Sequence, residues 1–167
     1  CRPRLVEQRF DPDLIAVARG DAPADVRLDD AQIVNVFTRT IQRGSVAIVG
    51  QRIAAVGEAV EAKTVLDVAG SYVAPGFVDA HMHVESTMLP PSQFVRLAVP
   101  HGTTAVVFDP HEIANVVGVP GIRWLMDDAV GLPINALFAA SSCVPASPLE
   151  TAGATLTAGD LAPLFDD

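Results

Sequence analysis

Short apolar runs broken by glycine dominate the first half of the chain. They fall at 31–36 (AQIVNV), 45–49 (SVAIV), 52–56 (RIAAV) and 64–68 (TVLDV), with Gly44, Gly50, Gly57 and Gly70 between or beside them. Runs of that length at hairpin-like spacing predict a small antiparallel β domain over residues 1–75. Upstream, Leu14-Ile15-Ala16-Val17-Ala18 is closed by Arg19-Gly20 and the Ala22-Pro23 turn signal, and fits a helix or a strand equally.

After Pro75-Gly76 the pattern changes. Strand-like runs at Phe77–Val84, Thr103–Phe108 and Ile134–Ala140 alternate with Pro91–Val99 and Gly121–Val130, whose apolar spacing is helical. Strands separated by helix-bearing crossovers imply parallel β/α units. The repeat, about 27–30 residues, suits a (β/α)8 barrel or an open doubly wound sheet. Residues 76–167 hold about three such units, so a barrel would be incomplete in this chain. The third strand would then present an open edge at Ile134, Ala136 and Phe138, to be covered by the remainder of the barrel or by a partner.

Composition narrows the classes. Half of the 167 residues are hydrophobic and 19% are charged, enough aliphatic material for a packed core and too little charge for disorder. Eleven Lys and Arg stand against 20 Asp and Glu, a net charge of −9, which argues against binding nucleic acid. No run approaches the ~18 uninterrupted apolar residues of a membrane span. Two cysteines, Cys1 and Cys143, are too few for a disulfide framework, and a reducing, cytoplasmic setting is expected. The N-terminal text, with Arg2, Arg4 and Glu7, shows no signal peptide, and opening on Cys1 rather than Met leaves the true N-terminus open.

The sharpest chemical feature is His81-Met82-His83. In a strand, Asp79, His81 and His83 share one face, and Val78, Ala80, Met82 and Val84 the other. Two neutral imidazoles one pleat apart can bind a single metal ion, with Asp79 or Glu85 as a further ligand or as a partner that orients a ring. The alternative is a chance histidine pair on a solvated face. The second feature, Asp109-Pro110-His111-Glu112, follows the strand at Thr103–Phe108, at the carboxyl edge where chemistry collects in parallel β/α folds. An acid, an imidazole and a second acid can hold metal, relay protons or bind a heterocycle. The bland reading is that Asp109 caps a helix with Pro110 at its first position.

The third strand ends in Ser141-Ser142-Cys143. Ser142 is a candidate hydrogen-bond donor to a ligand. Cys143 is expected to serve packing or backbone position, because no basic partner beside it marks a nucleophile. Glu150 reads as a solvated loop acid, and His101, at the start of a strand, as structural. Gly-rich phosphate loops, a GxSxG elbow and the H-x-E with P-C-x-x-C pair of zinc nucleobase deaminases are all missing.

The text PGFVDAHMH at 75–83, placed after a small β domain, resembles the amidohydrolase superfamily. Within it, HMHVESTMLPP at 81–91, GTTAVVFDPHEIANVVG at 102–118 and SSCVPASPLETAGA at 141–154 resemble the adenine deaminase family. The resemblance implies a composite β-sandwich from the N-terminal domain (1–75) and, at 76–167, the first three or so units of a TIM-like (β/α)8 barrel. It implies hydrolytic deamination of adenine to hypoxanthine and ammonia by a metal-activated water, with a binuclear manganese or iron centre, zinc also fitting. His81 and His83 match metal ligands. Asp109, His111 and Glu112 fall in catalytic motifs, and Glu85 and Ser142 in substrate-binding ones. A soluble homo-oligomer is implied. The superfamily's remaining ligands come from later strands, so this chain alone is expected to be inactive. The competing expectations are another cyclic amidohydrolase, dihydropyrimidinase-like, and a non-catalytic partial-barrel binding domain.

Overall fold

The structure, a computed structural model, describes residues 11–165. Cys1, Arg2, Arg4 and Glu7 lie outside the described residues. The chain divides into two compact units between Pro75 and Gly76.

In the first unit the ambiguous N-terminal run is a helix, α1 (Pro12–Arg19). Its ends explain the choice. Asp11 accepts the backbone N–H groups of Asp13 and Leu14 at 3.1 and 3.3 Å, Pro12 occupies the first turn, and Gly20 closes the helix at φ 78°. Strands β1 (Ala24–Asn35), β2 (Thr40–Val49), β3 (Arg52–Gly57), β4 (Ala62–Asp67) and β5 (Tyr72–Val73) form one sheet in the order β3-β2-β1-β4, with β5 also on β1. The antiparallel expectation holds only for β1–β2 and β2–β3. Both β4 and β5 pair β1 in parallel, so the sheet is mixed. The reason is positional: β2 already fills one edge of β1, so the later strands add to its other edge in the direction β1 runs.

Burial on both faces accounts for the unbroken apolar run in β2. Ala47 packs with Val17 and Ala24 on one face, and Val46 with Ala31 and Ile33 on the other.

The second unit is a parallel sheet of β6 (Phe77–Met82), β7 (Thr103–Phe108) and β8 (Asn135–Phe138), in that order. Helix α2 (Pro91–Ala98) crosses from β6 to β7, and α3 (His111–Val117) and α4 (Val119–Ala129) cross from β7 to β8. A single turn, α5 (Ala158–Leu161), lies near the end. The core gathers Val84, Val106, Phe108 and Leu125, with Phe94 edge-on to Phe108. Burying Leu125 or Phe108 removes enough apolar surface from water to contribute about 1.5–3 kcal/mol each. Asp128 of α4 accepts the Ser92 N–H at 2.7 Å and its hydroxyl at 3.0 Å, tying α4 to the first turn of α2.

Two expectations need correcting here. The strand at the histidine pair ends at Met82, so His83 sits just past it, at the head of a 3₁₀ turn over Val84–Thr87. Of the apolar face assigned to that strand, Met82 and Val84 join the core while Val78 and Ala80 are exposed.

Candidate metal centre

Two backbone hydrogen bonds extend the ladders at the carboxyl edge of β6-β7-β8. Asp109 N donates to Met82 O and Ala139 N to Phe108 O, each at 2.8 Å, and Phe77 N to Gly102 O does the same at the opposite edge. The carboxyl-edge pair fixes where the segments after β6, β7 and β8 begin, so side chains from three loops converge over one end of the sheet.

Four of the predicted residues meet there. His81 Nε2 and His83 Nε2 stand 3.2 Å apart. Asp109 Oδ2 lies 3.6 Å from His81 Nε2 and 3.6 Å from His111 Nδ1. The ring of His111 meets that of His83 edge-on, with centroids 4.4 Å apart. His81, His83, Asp109 and His111 line a cavity of about 250 Å³ together with Ser141, Ser142 and Cys143.

The geometry around His83 identifies which ring nitrogen is left with a free lone pair. A carbonyl oxygen can only accept, so His83 Nδ1, 2.7 Å from the Asp109 carbonyl, carries the proton and donates it. The lone pair of the neutral ring is then on Nε2, facing His81. Two nitrogens bound to one ion at ~2.0–2.1 Å stand ~2.9–3.4 Å apart for right-angled to tetrahedral ligation, and the observed separation falls inside that range. His81, His83 and Asp109 thus present three donor atoms to a common point, a set that fits a divalent cation. A second grouping, His83, His111 and Glu112, could also hold a cation.

Glu112 performs a different task. Its Oε1 accepts the Ser86 hydroxyl at 3.1 Å, and its Oε2 lies 3.1 Å from His83 Nδ1, whose hydrogen points to the Asp109 carbonyl. Glu85 Oε1 accepts the Ile113 N–H at 3.1 Å, bracing the first turn of α3. The remaining oxygens, Glu85 Oε2 and Glu112 Oε2, are closed to solvent with no hydrogen-bond donor among the described residues. Buried carboxylate oxygens without donors are what an absent cation or ordered water leaves behind.

Other expectations are revised. Asp79 turns back to accept the His81 N–H at 3.2 Å, outside both donor groups. Asp109 does not cap α3: Pro110 holds the cap position with no side-chain bond, and the Asp109 carboxylate accepts the Ser141 hydroxyl instead. Cys143 is an exposed free thiol on the cavity wall. Ser142 lines the cavity and is exposed. His101 lies at the turn entering β7, away from the cluster, and Glu150 is exposed on a loop. Ser141 and Ser86 escape sequence reasoning. Nothing in the pair Ser141-Ser142 says which hydroxyl turns inward once the strand has ended at Phe138.

A parallel β/α sheet carries a His-x-His pair and an aspartate at its carboxyl edge, a donor set able to hold a divalent cation. The sequence model of the amidohydrolase family matches residues 72–163, more than half of the chain, and the protein belongs to that family. It is 49% identical to adenine deaminase from Desulfatibacillum aliphaticivorans over 157 residues, covering 94% of this chain and 27% of that protein. It is 52% identical to adenine deaminase 2 from Carboxydothermus hydrogenoformans over 149 residues, covering 89% of this chain and 26% of that protein. The chain therefore spans about a quarter of the length of these curated relatives. A solved structure of N-acyl-D-glutamate deacylase from Bordetella bronchiseptica, complexed with zinc and a phosphonate inhibitor, has a similar fold. It matches with a TM-score of 0.56 and 22% identity over 87% of this chain and 35% of that one.

Proposed function

We propose that this chain supplies the first part of the catalytic unit of a metal-dependent adenine deaminase, which hydrolyses adenine to hypoxanthine and ammonia. The observation that carries the reading is the convergence of His81, His83, Asp109 and His111 at one cavity. Its support is that this convergence occurs in a chain so close in sequence to proteins bearing that name. Residues 1–75 are a β-rich N-terminal domain, and 76–167 begin a (β/α)8 barrel. The remaining strands and donors belong to the three quarters of the relatives' length that this chain does not span.

His81 and His83, through Nε2, and Asp109, through Oδ2, would hold a divalent metal, manganese or iron as part of a binuclear pair, with zinc as the substitute. When bound, such a cation supplies the Lewis acidity that makes water nucleophilic near neutral pH. The chain's own residues do the rest. Glu112, whose Oε1 accepts the Ser86 hydroxyl, sets its Oε2 3.1 Å from His83 Nδ1 and so flanks the ring on the side away from His81. His111 stands beside Asp109 at the cavity, placed to move a proton to or from the substrate. Ser142 offers a hydroxyl to the purine, and Glu85 shapes the wall through α3. The exposed Cys143 thiol suits a reducing, cytoplasmic setting, and a homo-oligomer is the assembly we expect.

The test is adenine turnover by the complete protein with manganese supplied, beside its His81→Ala variant. Hypoxanthine and ammonia from the parent, lost in the variant, is the expected result. An intact, metal-loaded parent that leaves adenine untouched would reject the substrate and direct the search to other cyclic amides and amidines.

A further inference from the structure

Asp109 is held by a residue from a neighbouring strand. Its Oδ1 accepts the Ser141 hydroxyl at 2.8 Å, and Ser141 is only 4% exposed, so bulk water does not compete for the bond. Asp109 follows β7 and Ser141 follows β8, whose ladder carries on past the strand ends through Ala139 N and Phe108 O. Both partners are therefore fixed by the sheet. The other oxygen, Oδ2, is 3.6 Å from an imidazole nitrogen on either side, too far to be hydrogen-bonded to His81 or His111. A carboxylate free to rotate would close on one of those rings or offer both of its oxygens to a cation. With Oδ1 engaged, swinging the carboxylate onto either ring breaks the bond to Ser141, and a cation approaching Oδ1 must share that oxygen with the hydroxyl.

We infer that Ser141 is a positioning residue: its buried hydroxyl restricts Asp109 to coordinating a divalent cation through Oδ2 alone and keeps the carboxylate from collapsing onto His81 or His111. The inference rests on the metal reading above and adds to it a residue that acts through Asp109. Partners that orient metal ligands in this way are typically worth 10–100-fold in affinity.

The experiment is zinc affinity of the complete protein, read by chelator competition, for the parent and for Ser141→Ala, Ser141→Thr, Asp109→Asn and the Ser141→Ala/Asp109→Asn pair. Ser141→Ala is expected to weaken zinc binding about 10–100-fold, and Ser141→Thr, which keeps the hydroxyl, to restore most of it. In the Asp109→Asn background Ser141→Ala should cost nothing more, because the serine acts through that carboxylate. Equal affinity of parent and Ser141→Ala overturns the inference while leaving the metal reading intact. So does an equal loss with and without Asp109, which marks a general effect on folding. A parent that binds no zinc removes the metal reading and this inference with it. Should Ser141→Ala not fold, the infrared carboxylate bands of the zinc-loaded parent decide. A wide splitting marks one-oxygen coordination, and a narrow, two-oxygen splitting overturns the proposal.

Discussion

The imidazole of His83 is steered by a backbone atom of another strand's loop: Nδ1 lies 2.7 Å from the carbonyl oxygen of Asp109. One residue therefore serves the centre twice, its carbonyl selecting the tautomer of His83 while its carboxylate faces His81 and His111. The arrangement predicts that His83 is an Nδ1–H tautomer before any metal is added. Long-range ¹H–¹⁵N NMR of the metal-free protein should show a protonated Nδ1 and a bare Nε2. The opposite tautomer would mean that Nε2 is not the metal-facing atom.

His81 should be dispensable for folding and indispensable for the cation. The side chain of His81 is 64% exposed, and surface substitutions of that kind usually move stability by no more than about 0.5 kcal/mol. Removing a nitrogen donor outright should cost more than removing an outer partner, at least ~100-fold in metal affinity. His81→Ala is thus expected to melt with the parent and to bind manganese or zinc far more weakly. A variant that keeps parental affinity would displace His81 from the donor set.

How much of this is visible without coordinates depends on whether the cause is local. Thr103–Phe108 is legible to the residue because a β-branched run is bracketed by Gly102 and by Asp109-Pro110, and α2 because Pro90-Pro91 opens it. The His-x-His pair and the acid-histidine cluster are legible because strand ends in parallel β/α sheets collect chemistry. Helix α3 is obscured because His111 and Glu112, read as chemistry, also form its first turn. The parallel attachment of β4 and β5 to β1 is a pairing between distant segments, and apolar periodicity carries no partner information. The Ser141–Asp109 bond is lost for the same reason: the two residues are 32 positions apart and meet only because β7 and β8 are neighbours.

Entry to the first strand of the second unit depends on an absent side chain. A Cβ on Gly76 would overlap the γ atoms of Thr104 and stand 2.7 Å from the Thr104 Cβ, which no rotation about χ1 can move. Gly76→Ala should therefore destabilise the protein by about 1–3 kcal/mol, the usual cost of overpacking. Thr104→Ala should recover only part of the loss, since it removes the γ atoms and leaves the Cβ. Denaturant unfolding of the two single variants and the pair checks this. Full recovery with Thr104→Ala would show that the γ contacts alone set the clash.

The first unit offers a pH test independent of the metal centre. The hydrogen bond from Lys63 to Asp25, at 2.7 Å, is the main cause holding the Asp25 carboxyl below the usual aspartate range, with the Gly50 N–H adding to it. The same bond raises Lys63 above the ordinary lysine range. Asp25 contributes stability that is present above its ordinary value of ~3.9 and lost as pH falls through its depressed value, whereas Lys63 contributes below ~10.4 and loses it as pH rises through its raised value. The pair is thus intact across the neutral range and opens only at the extremes. Lys63→Met should move the Asp25 midpoint upward, read from its ¹³C carboxyl shift, yet leave it below the ordinary value because the Gly50 N–H still donates. An unchanged midpoint would show that the backbone alone depresses it, and a full return to the ordinary value that the Gly50 bond is not made without the lysine.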